Sequence, residues 1–189
     1  DLNDYIEHNI TNTNPTNPDS DGDLLSDGEE NNTYFTDPNA GDSDSDGLND
    51  YFEVNYEGID PLDDDSDDDE VSDGDEINIY NSDPTDVDTD DDGLDDGAEA
   101  NIHSTDPVKA DSDSDGLNDY DEINNHGTDP LKADSDNDGL ADGDEVNIHG
   151  TNPLDNDSDD DGLLDGLEIS LESYPLSNDS DGDGLDDYW

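Results

Sequence analysis

The chain has no cysteine, no methionine and no arginine, and only two lysines, Lys109 and Lys132, in 189 residues. Without cysteine no disulfide can staple it. Two lysines against 63 acidic residues, with a formal charge of −61, cannot replace the counterions of a phosphate backbone. Nucleic acids and anionic membrane surfaces are therefore excluded as partners. Hydrophobic residues make up 25% of the chain and aromatics 6%. No apolar run approaches the length of a membrane-spanning helix, and nothing in this stretch reads as a signal peptide. So little apolar surface cannot offset the entropy of ordering the backbone, and self-repulsion opposes compaction. Taken bare, the composition predicts disorder.

What is present is periodic. Stretches starting at Asp19, Asp42, Asp65, Asp88, Asp111, Asp134, Asp157 and Asp179 align at a spacing of 23 residues, the last at 22. Counting each of these as position 1, Asp stands at positions 1, 3, 5 and 9 in all eight loops. Position 6 is Gly in six of the eight, with Leu24 and Glu70 as departures, and position 7 is always Leu or Val. Asp is too common here for D-x-D-x-D alone to be informative. The glutamates are: of only twelve, eight fall at position 12, namely Glu7, Glu30, Glu53, Glu76, Glu99, Glu122, Glu145 and Glu168. A diffuse acidic tail has no reason to hold Glu to one phase of the period. The expected division is a partial repeat 1–18, seven repeats 19–41, 42–64, 65–87, 88–110, 111–133, 134–156 and 157–178, and a truncated repeat 179–189, all one continuous array. Both ends fall within a repeat, with Asp4 at position 9 of an incomplete loop, as expected of an excerpt from a longer array.

The loop D-x-D-x-D-G-x-x-D-x-x-E matches a calcium-loop signature. Calcium takes six to eight oxygens from carboxylates, carbonyls and water. Alternating aspartates at 1, 3 and 5 aim their carboxylates at one centre, Gly at 6 permits the sharp turn, and Glu at 12 reaches back. Position 9 acts through water in such loops. The expected ligands are Asp19, Asp21, Asp23, Asp27 and Glu30; Asp42, Asp44, Asp46, Asp50 and Glu53; and Asp65, Asp67, Asp69, Asp73 and Glu76. They continue with Asp88, Asp90, Asp92, Asp96 and Glu99; Asp111, Asp113, Asp115, Asp119 and Glu122; and Asp134, Asp136, Asp138, Asp142 and Glu145. The last are Asp157, Asp159, Asp161, Asp165 and Glu168, then Asp179, Asp181, Asp183 and Asp187 in a loop without its Glu. Backbone carbonyls at position 7 complete the sets: Leu25, Leu48, Val71, Leu94, Leu117, Leu140, Leu163 and Leu185. Seven sites are complete and an eighth is truncated. Hard carboxylates without His or Cys argue against zinc and copper, and magnesium wants tighter octahedral geometry.

Positions 1 to 9 are too polar and Gly-containing for helix or strand and read as loop. Positions 10 to 16 predict a short helix, as in Gly143–His149, ended by Gly150; Gly58, Asn81 and Gly127 hold the same place. A Thr-Asp-Pro or close variant follows, as at Thr105–Pro107, Thr128–Pro130 and Thr151–Pro153, and stops the helix. A helix of about two turns is not stable in water by itself. Positions 7, 13 and 15, for example Leu140, Val146 and Ile148, are the recurring apolar ones and predict a thin seam between neighbouring repeats. The fold class expected is an irregular, solenoid-like repeat array: Asp-rich calcium loops, one short helix per 23-residue repeat, little or no sheet and a minimal hydrophobic core.

No helix enters the loop as it would in an EF-hand, and the apolar residue stands at 7. The sequence instead resembles the thrombospondin type 3 repeat family in its Cys-free bacterial form, over essentially the whole chain. Asp134-Ser-Asp-Asn-Asp-Gly-Leu-Ala-Asp-Gly-Asp-Glu145 and Gly150-Thr-Asn-Pro153 carry the likeness. The resemblance implies an extracellular calcium-binding array within a large surface or secreted protein, with ions serving as the core. It also implies room for a second ion per repeat, for which Asp142, Asp165, Asp106 and Asp129 are the candidates.

Extracellular calcium modules bind at roughly 0.1–1 mM. At about 1–2 mM free calcium, a site of roughly 0.1 mM affinity adds about 1.4–1.8 kcal/mol. Seven would give on the order of 10 kcal/mol, the stability of a domain. The expected function is a calcium-rigidified, non-enzymatic spacer or stalk at the cell surface or in a secreted protein. The alternatives are a calcium-dependent adhesion or self-assembly module, bridging other surface proteins or copies of itself, and a secreted calcium buffer or mineral-binding protein. A carboxylate pair repeated in every repeat is a scaffold pattern, not a glycosidase site. His103, His126 and His149 share position 16 and read as helix-end residues. Tyr5, Tyr51, Tyr120 and Tyr188 share position 10 and are expected to pack on the adjacent repeat, with a glycan platform as the alternative. Asn recurs at position 14 from Asn9 to Asn147, and a loop-fixing hydrogen bond is expected of it.

Overall fold

The computed structural model describes residue 2 and residues 6–187. Asp4, Tyr5 and Tyr188, named above, lie outside the described residues. The chain forms two compact units. One holds the described residues up to Thr89 together with Asp95–Ile102; the other holds Asp90–Leu94 and the described residues from His103 onward. Among the described residues there is no strand, and no helix is long and apolar enough to cross a membrane.

Each repeat is a loop followed by one short helix, as expected. The loop is closed by a backbone bond from the N–H of position 9 to the carbonyl just before position 1. It runs from Asp50 to Gly41 at 3.2 Å, from Asp73 to Asp64 at 3.1 Å and from Asp142 to Ala133 at 3.1 Å. Position 8 then caps the helix: the side chains of Ser26, Asn49, Ser72 and Asn118 accept from the N–H three residues on. The helix therefore begins at position 9, one residue earlier than the sequence predicts.

Its first turn is α-helical and its second is wider. Asp27–Glu29 runs into Glu30–Tyr34, Asp73–Asp75 into Glu76–Tyr80, Asp119–Asp121 into Glu122–His126, and Asp142–Asp144 into Glu145–His149. The widening is an i→i+5 bond from the N–H of position 17 to the carbonyl of position 12. It measures 2.6 Å from Asn81 to Glu76 and 2.7 Å from Gly150 to Glu145. Position 17 is left-handed and ends the helix, at Asn81, Gly127 and Gly150 as expected, but also at Phe35; in the shorter repeat from Asp157 the left-handed cap is Glu172, at position 16. The helix Asp50–Glu53 stops early, with Val54 as its cap.

The apolar seam is thinner than the sequence predicts. Position 7 is buried in Leu25, Leu48, Val71, Leu94 and Leu117, half-buried in Leu140 and Leu163, and exposed in Leu185. Position 13 is half-buried, as in Ile77, Ile123, Val146 and Ile169. Position 15 does not join them: Ile10, Ile79, Ile102, Ile148 and Leu171 are exposed. Two residues apart on a helix point to different sides, so 13 and 15 cannot share one seam. The largest fully buried side chains are not hydrophobic at all; they are the position-12 glutamates, followed by aspartates of position 9.

Candidate metal centre

Within each loop the chain supplies its own hydrogen bonds to the aspartates, and what it leaves over defines the site. Position 1 accepts from the backbone of its own turn. Asp111 takes the N–H of Ser114 at 2.7 Å on Oδ1 and that of Gly116 at 3.0 Å on Oδ2. Asp134 does the same with Asn137 and Gly139. Position 3 accepts the N–H of position 5 on Oδ1, as in Asp44 from Asp46 and Asp136 from Asp138, each at 3.2 Å. Its Oδ2 is buried and has no hydrogen-bond partner in Asp21, Asp44, Asp67, Asp113, Asp136 and Asp159. Carboxylate oxygens of positions 1, 3 and 5 lie within 4.8 Å of one another in Asp19/Asp21/Asp23, Asp42/Asp44/Asp46, Asp65/Asp67/Asp69 and Asp111/Asp113/Asp115. The loop from Asp88 is divided between the compact units, Asp88, Asp96 and Glu99 with the first and Asp90 and Asp92 with the second.

The sharp turn at position 6 falls as expected. Gly47, Gly93, Gly116, Gly139 and Gly162 have φ of 101° to 108°. The two departures are held in the same region, Leu24 at 96° and Glu70 at 82°.

The helix brings the position-12 glutamate over the loop. Glu30, Glu53, Glu76, Glu122, Glu145 and Glu168 are each completely buried, and each keeps at least one Oε without a hydrogen-bond partner. Burial pushes Glu53 up to about 8, and Asp44, Asp46, Asp50 and Asp42 add repulsion. Burial likewise lifts Glu30 to about 8, with Asp21 and Asp23 adding to it, and Glu168 to about 7, with Asp159 and Asp161. Position 3 follows for the same reason, Asp44, Asp67, Asp113 and Asp136 rising to about 6. The acids at 3, 5, 9 and 12 thus lie close enough to repel one another. Buried like charges with open oxygens are expensive unless protonated or neutralised by a cation.

Two recurrent residues that the sequence reading passed over support this arrangement. Position 2 is Ser or Thr in all eight loops. Its N–H donates to the position-9 carboxylate and in some loops its hydroxyl does too: Ser43 to Asp50 at 2.7 and 2.8 Å, Ser66 to Asp73 at 2.8 and 2.6 Å, Ser158 to Asp165 at 2.8 and 2.6 Å, whereas Asp119, Asp142 and Asp187 take the N–H alone and keep Oδ2 without a partner. Position 9 is therefore a brace across the loop. The recurrence at position 2 is visible in the repeat register, but it is a weak signal beside so many acids. Position 18 is the second. Ser82, Thr128 and Thr151 donate their hydroxyls to Glu76, Glu122 and Glu145 at 3.0, 3.1 and 3.1 Å, fixing one oxygen and leaving Oε2 open. Ile59 holds this place opposite Glu53, both of whose oxygens are open.

The position-14 asparagines bond in two ways, and only the second reaches a loop, as expected of them. Asn55 and Asn78 donate to the carbonyl four residues earlier, at 2.6 and 2.7 Å. Asn101 and Asn147 reach back to the preceding loop, to Glu70 and Gly116, at 3.1 and 3.3 Å. The Tyr120 ring lies against Gly93 of the preceding loop. His103, His126 and His149 end their helices half-buried. Of the second-ion candidates, Asp106 is paired with Lys109, and Asp129 accepts the N–H of Leu131 at 3.3 Å.

These centres offer only oxygen, clustered, charged and incompletely bonded, which fits a hard divalent cation. A loop-and-short-helix repeat that recurs with such clusters defines a repeat-array protein with acid groups that could hold a metal. A family model of the bacterial TSP3 repeat matches residues 19–40, 42–64, 88–110, 111–133 and 134–156. The chain belongs to that family. No curated protein matches it. Among solved structures, short stretches are similar to two chains described as a biofilm associated protein. One is its B domain, at 44% identity over 24% of this chain and 11% of that one, with a TM-score of 0.24. The other is its BSP domain, at 45% identity over 23% and 8%, with a TM-score of 0.23. The chain thus spans about a tenth of the length of those chains.

Proposed function

We propose that the chain is a calcium-binding segment of a cell-surface or secreted protein, without catalytic activity of its own, whose repeats order around calcium and serve as a spacer. The observation that carries this reading is the set of buried, unpartnered oxygens at positions 3 and 12 turned toward one another in repeat after repeat. The two lysines do not neutralise them: Lys109 and Lys132 donate to Asp106 and to the Ser135 carbonyl. In this reading positions 1, 3, 5 and 12, with the position-7 carbonyl, hold the ion directly, and position 9 takes part through water. Seven centres are complete, in the repeats that begin at Asp19, Asp42, Asp65, Asp88, Asp111, Asp134 and Asp157; the loop from Asp179 contributes an eighth without position 12. Calcium is preferred over magnesium because a flexible loop of many carboxylates suits a larger, less strictly octahedral ion.

The test is a calcium titration of the whole chain followed by far-UV circular dichroism and small-angle scattering. Calcium at millimolar levels should raise the helical signal and compact the chain, and chelator should reverse both. Identical profiles with calcium and with chelator would overturn the proposal. A second reading, an assembly module, is favoured by the exposed aliphatic residues at position 15. It predicts a calcium-dependent rise in sedimentation coefficient with protein concentration, which a monomeric spacer does not give.

A further inference from the structure

The position-5 aspartates Asp23, Asp69, Asp115 and Asp138 each divide their two oxygens between two repeats. Oδ1 accepts the N–H of position 7 in its own loop: Asp23 from Leu25 at 2.8 Å, Asp115 from Leu117 at 2.8 Å, Asp138 from Leu140 at 2.7 Å. Oδ2 accepts the N–H of position 10 in the next repeat, 28 residues on. Asp23 takes it from Tyr51 at 3.1 Å, Asp69 from Gly97 at 2.7 Å, Asp115 from Gly143 at 2.9 Å and Asp138 from Gly166 at 2.9 Å. Position 10 is the second residue of the helix that presents positions 9 and 12 to its own centre. One carboxylate therefore belongs to the loop of one centre and anchors the helix of the next. Between the repeats beginning at Asp42 and Asp65 no such bond forms: Asp46 Oδ2 has no hydrogen-bond partner, although it and the Asp46 carbonyl both lie beside Gly74.

We infer that the position-5 aspartate couples neighbouring centres, so that occupancy of one strengthens binding in the next, and that this coupling is broken between the repeats beginning at Asp42 and Asp65. The inference rests on the calcium reading above. An ion held by positions 1, 3 and 5 fixes the plane of the position-5 carboxylate. That fixed oxygen holds the first turn of the following helix, which carries the acids at 9 and 12 that the next ion needs. By linkage the effect is reciprocal, so an ordered second repeat also improves the first site. Charge repulsion between neighbouring acids is common to all the interfaces and does not distinguish them; the hydrogen bond does. Asp23, Asp69, Asp115 and Asp138 are on this account positioning residues for the following centre as well as ligands of their own.

The experiment is a residue-resolved calcium titration of the full chain by nitrogen-15 NMR, with one centre disabled by Glu53→Gln. That centre has a linked neighbour on one side, the loop Asp19–Glu30, and an unlinked one on the other, the loop Asp65–Glu76. The expected result is that the midpoint of the loop Asp19–Glu30 rises about 5-fold or more, while that of the loop Asp65–Glu76 stays within the spread of distant loops. Equal shifts in both neighbours, or none in either, would overturn the coupling while leaving calcium binding intact. If no loop responds to calcium in the unmodified chain, the functional reading itself fails. Should Glu53→Gln disorder its repeat, Tyr51→Pro serves instead, since it removes the linking N–H within the first turn of a helix. It should weaken the loop Asp19–Glu30, whose ligands it leaves untouched. Tyr51→Ala, which keeps the N–H, should not, and equal effects of the two would also overturn the coupling.

Discussion

Leu24 and Glu70 occupy the one loop position where the other loops carry glycine, and both take the left-handed backbone that glycine adopts freely. An L-residue with a side chain loses roughly 1–2 kcal/mol there. Leu24 is 70% exposed, so its side chain returns little by packing. Leu24→Gly should therefore stabilise the first complete repeat by about 1 kcal/mol, read as a lower calcium midpoint for that loop. An unchanged or raised midpoint would show that the turn is not strained. At this scale positions 1, 3, 5, 6 and 12 are legible in the sequence because each has a distinct geometric task. Positions 2 and 18 are not, because a hydroxyl that braces a carboxylate has no signature apart from its recurrence. Position 9 reads as a ligand because an aspartate at that spacing fits the calcium loop. Only the fold reveals that in Asp50, Asp73 and Asp165 both oxygens accept from position 2.

The helix is the element in which pattern and structure part company. A short stretch closed by Gly or Asn is foreseeable from the cap residues; the wide second turn is not, since no residue type marks an i→i+5 bond. The aliphatic residue at 15 looks like half of a seam and is instead turned outward, at 68% exposure in Ile148. The helix start matters more for function, because its position-10 backbone packs on the preceding loop. A Cβ built on Gly143 would overlap the Asp115 carbonyl oxygen, and one on Gly97 that of Asp69. Both are too close without a backbone shift, while Tyr51 and Tyr120 fill the same position where the spacing admits a ring. Gly143→Ala should thus cost about 1–3 kcal/mol and accelerate amide exchange in the repeats beginning at Asp111 and Asp134. Tyr51→Gly should leave the Asp23 bond intact. A fully tolerated Gly143→Ala would mean that the repeats stack more loosely than their contacts indicate.

For the whole molecule, the calcium proposal makes protons and calcium competitors for the same oxygens. In the metal-free chain Glu30, Glu53, Glu76, Glu122 and Glu145 have ordinary values when unfolded and stand near 8 when folded, because burial disfavours their charge. A raised folded value means that the folded state binds more protons. Its stabilisation is complete at low pH and is lost as pH rises from ordinary carboxylate values through about 8. With chelator present, the helical signal should therefore grow as pH is lowered from 8 to about 5. With calcium present the trend reverses, since protonation removes ligands. A circular dichroism series at three pH values with each additive checks both signs, and parallel trends would contradict the shared site. The charge of −61 is thus partly the binding apparatus and partly the surface that keeps a thin-cored chain soluble.

A chain whose most deeply buried groups are carboxylates has an unusual relation to heat. Ordinary domains unfold with a heat-capacity increment of about 12–15 cal/mol/K per residue, because water meets apolar surface, while exposed polar surface lowers the increment. If calcium is bound as proposed, unfolding would release ions and hydrate Glu53, Glu76 and their counterparts, while among the described residues the buried apolar side chains are six aliphatic ones and seven prolines. Scanning calorimetry in saturating calcium should give an increment well below the ordinary range, and hence a flat stability curve. Such a protein would be governed less by the temperature of its surroundings than by their hardness.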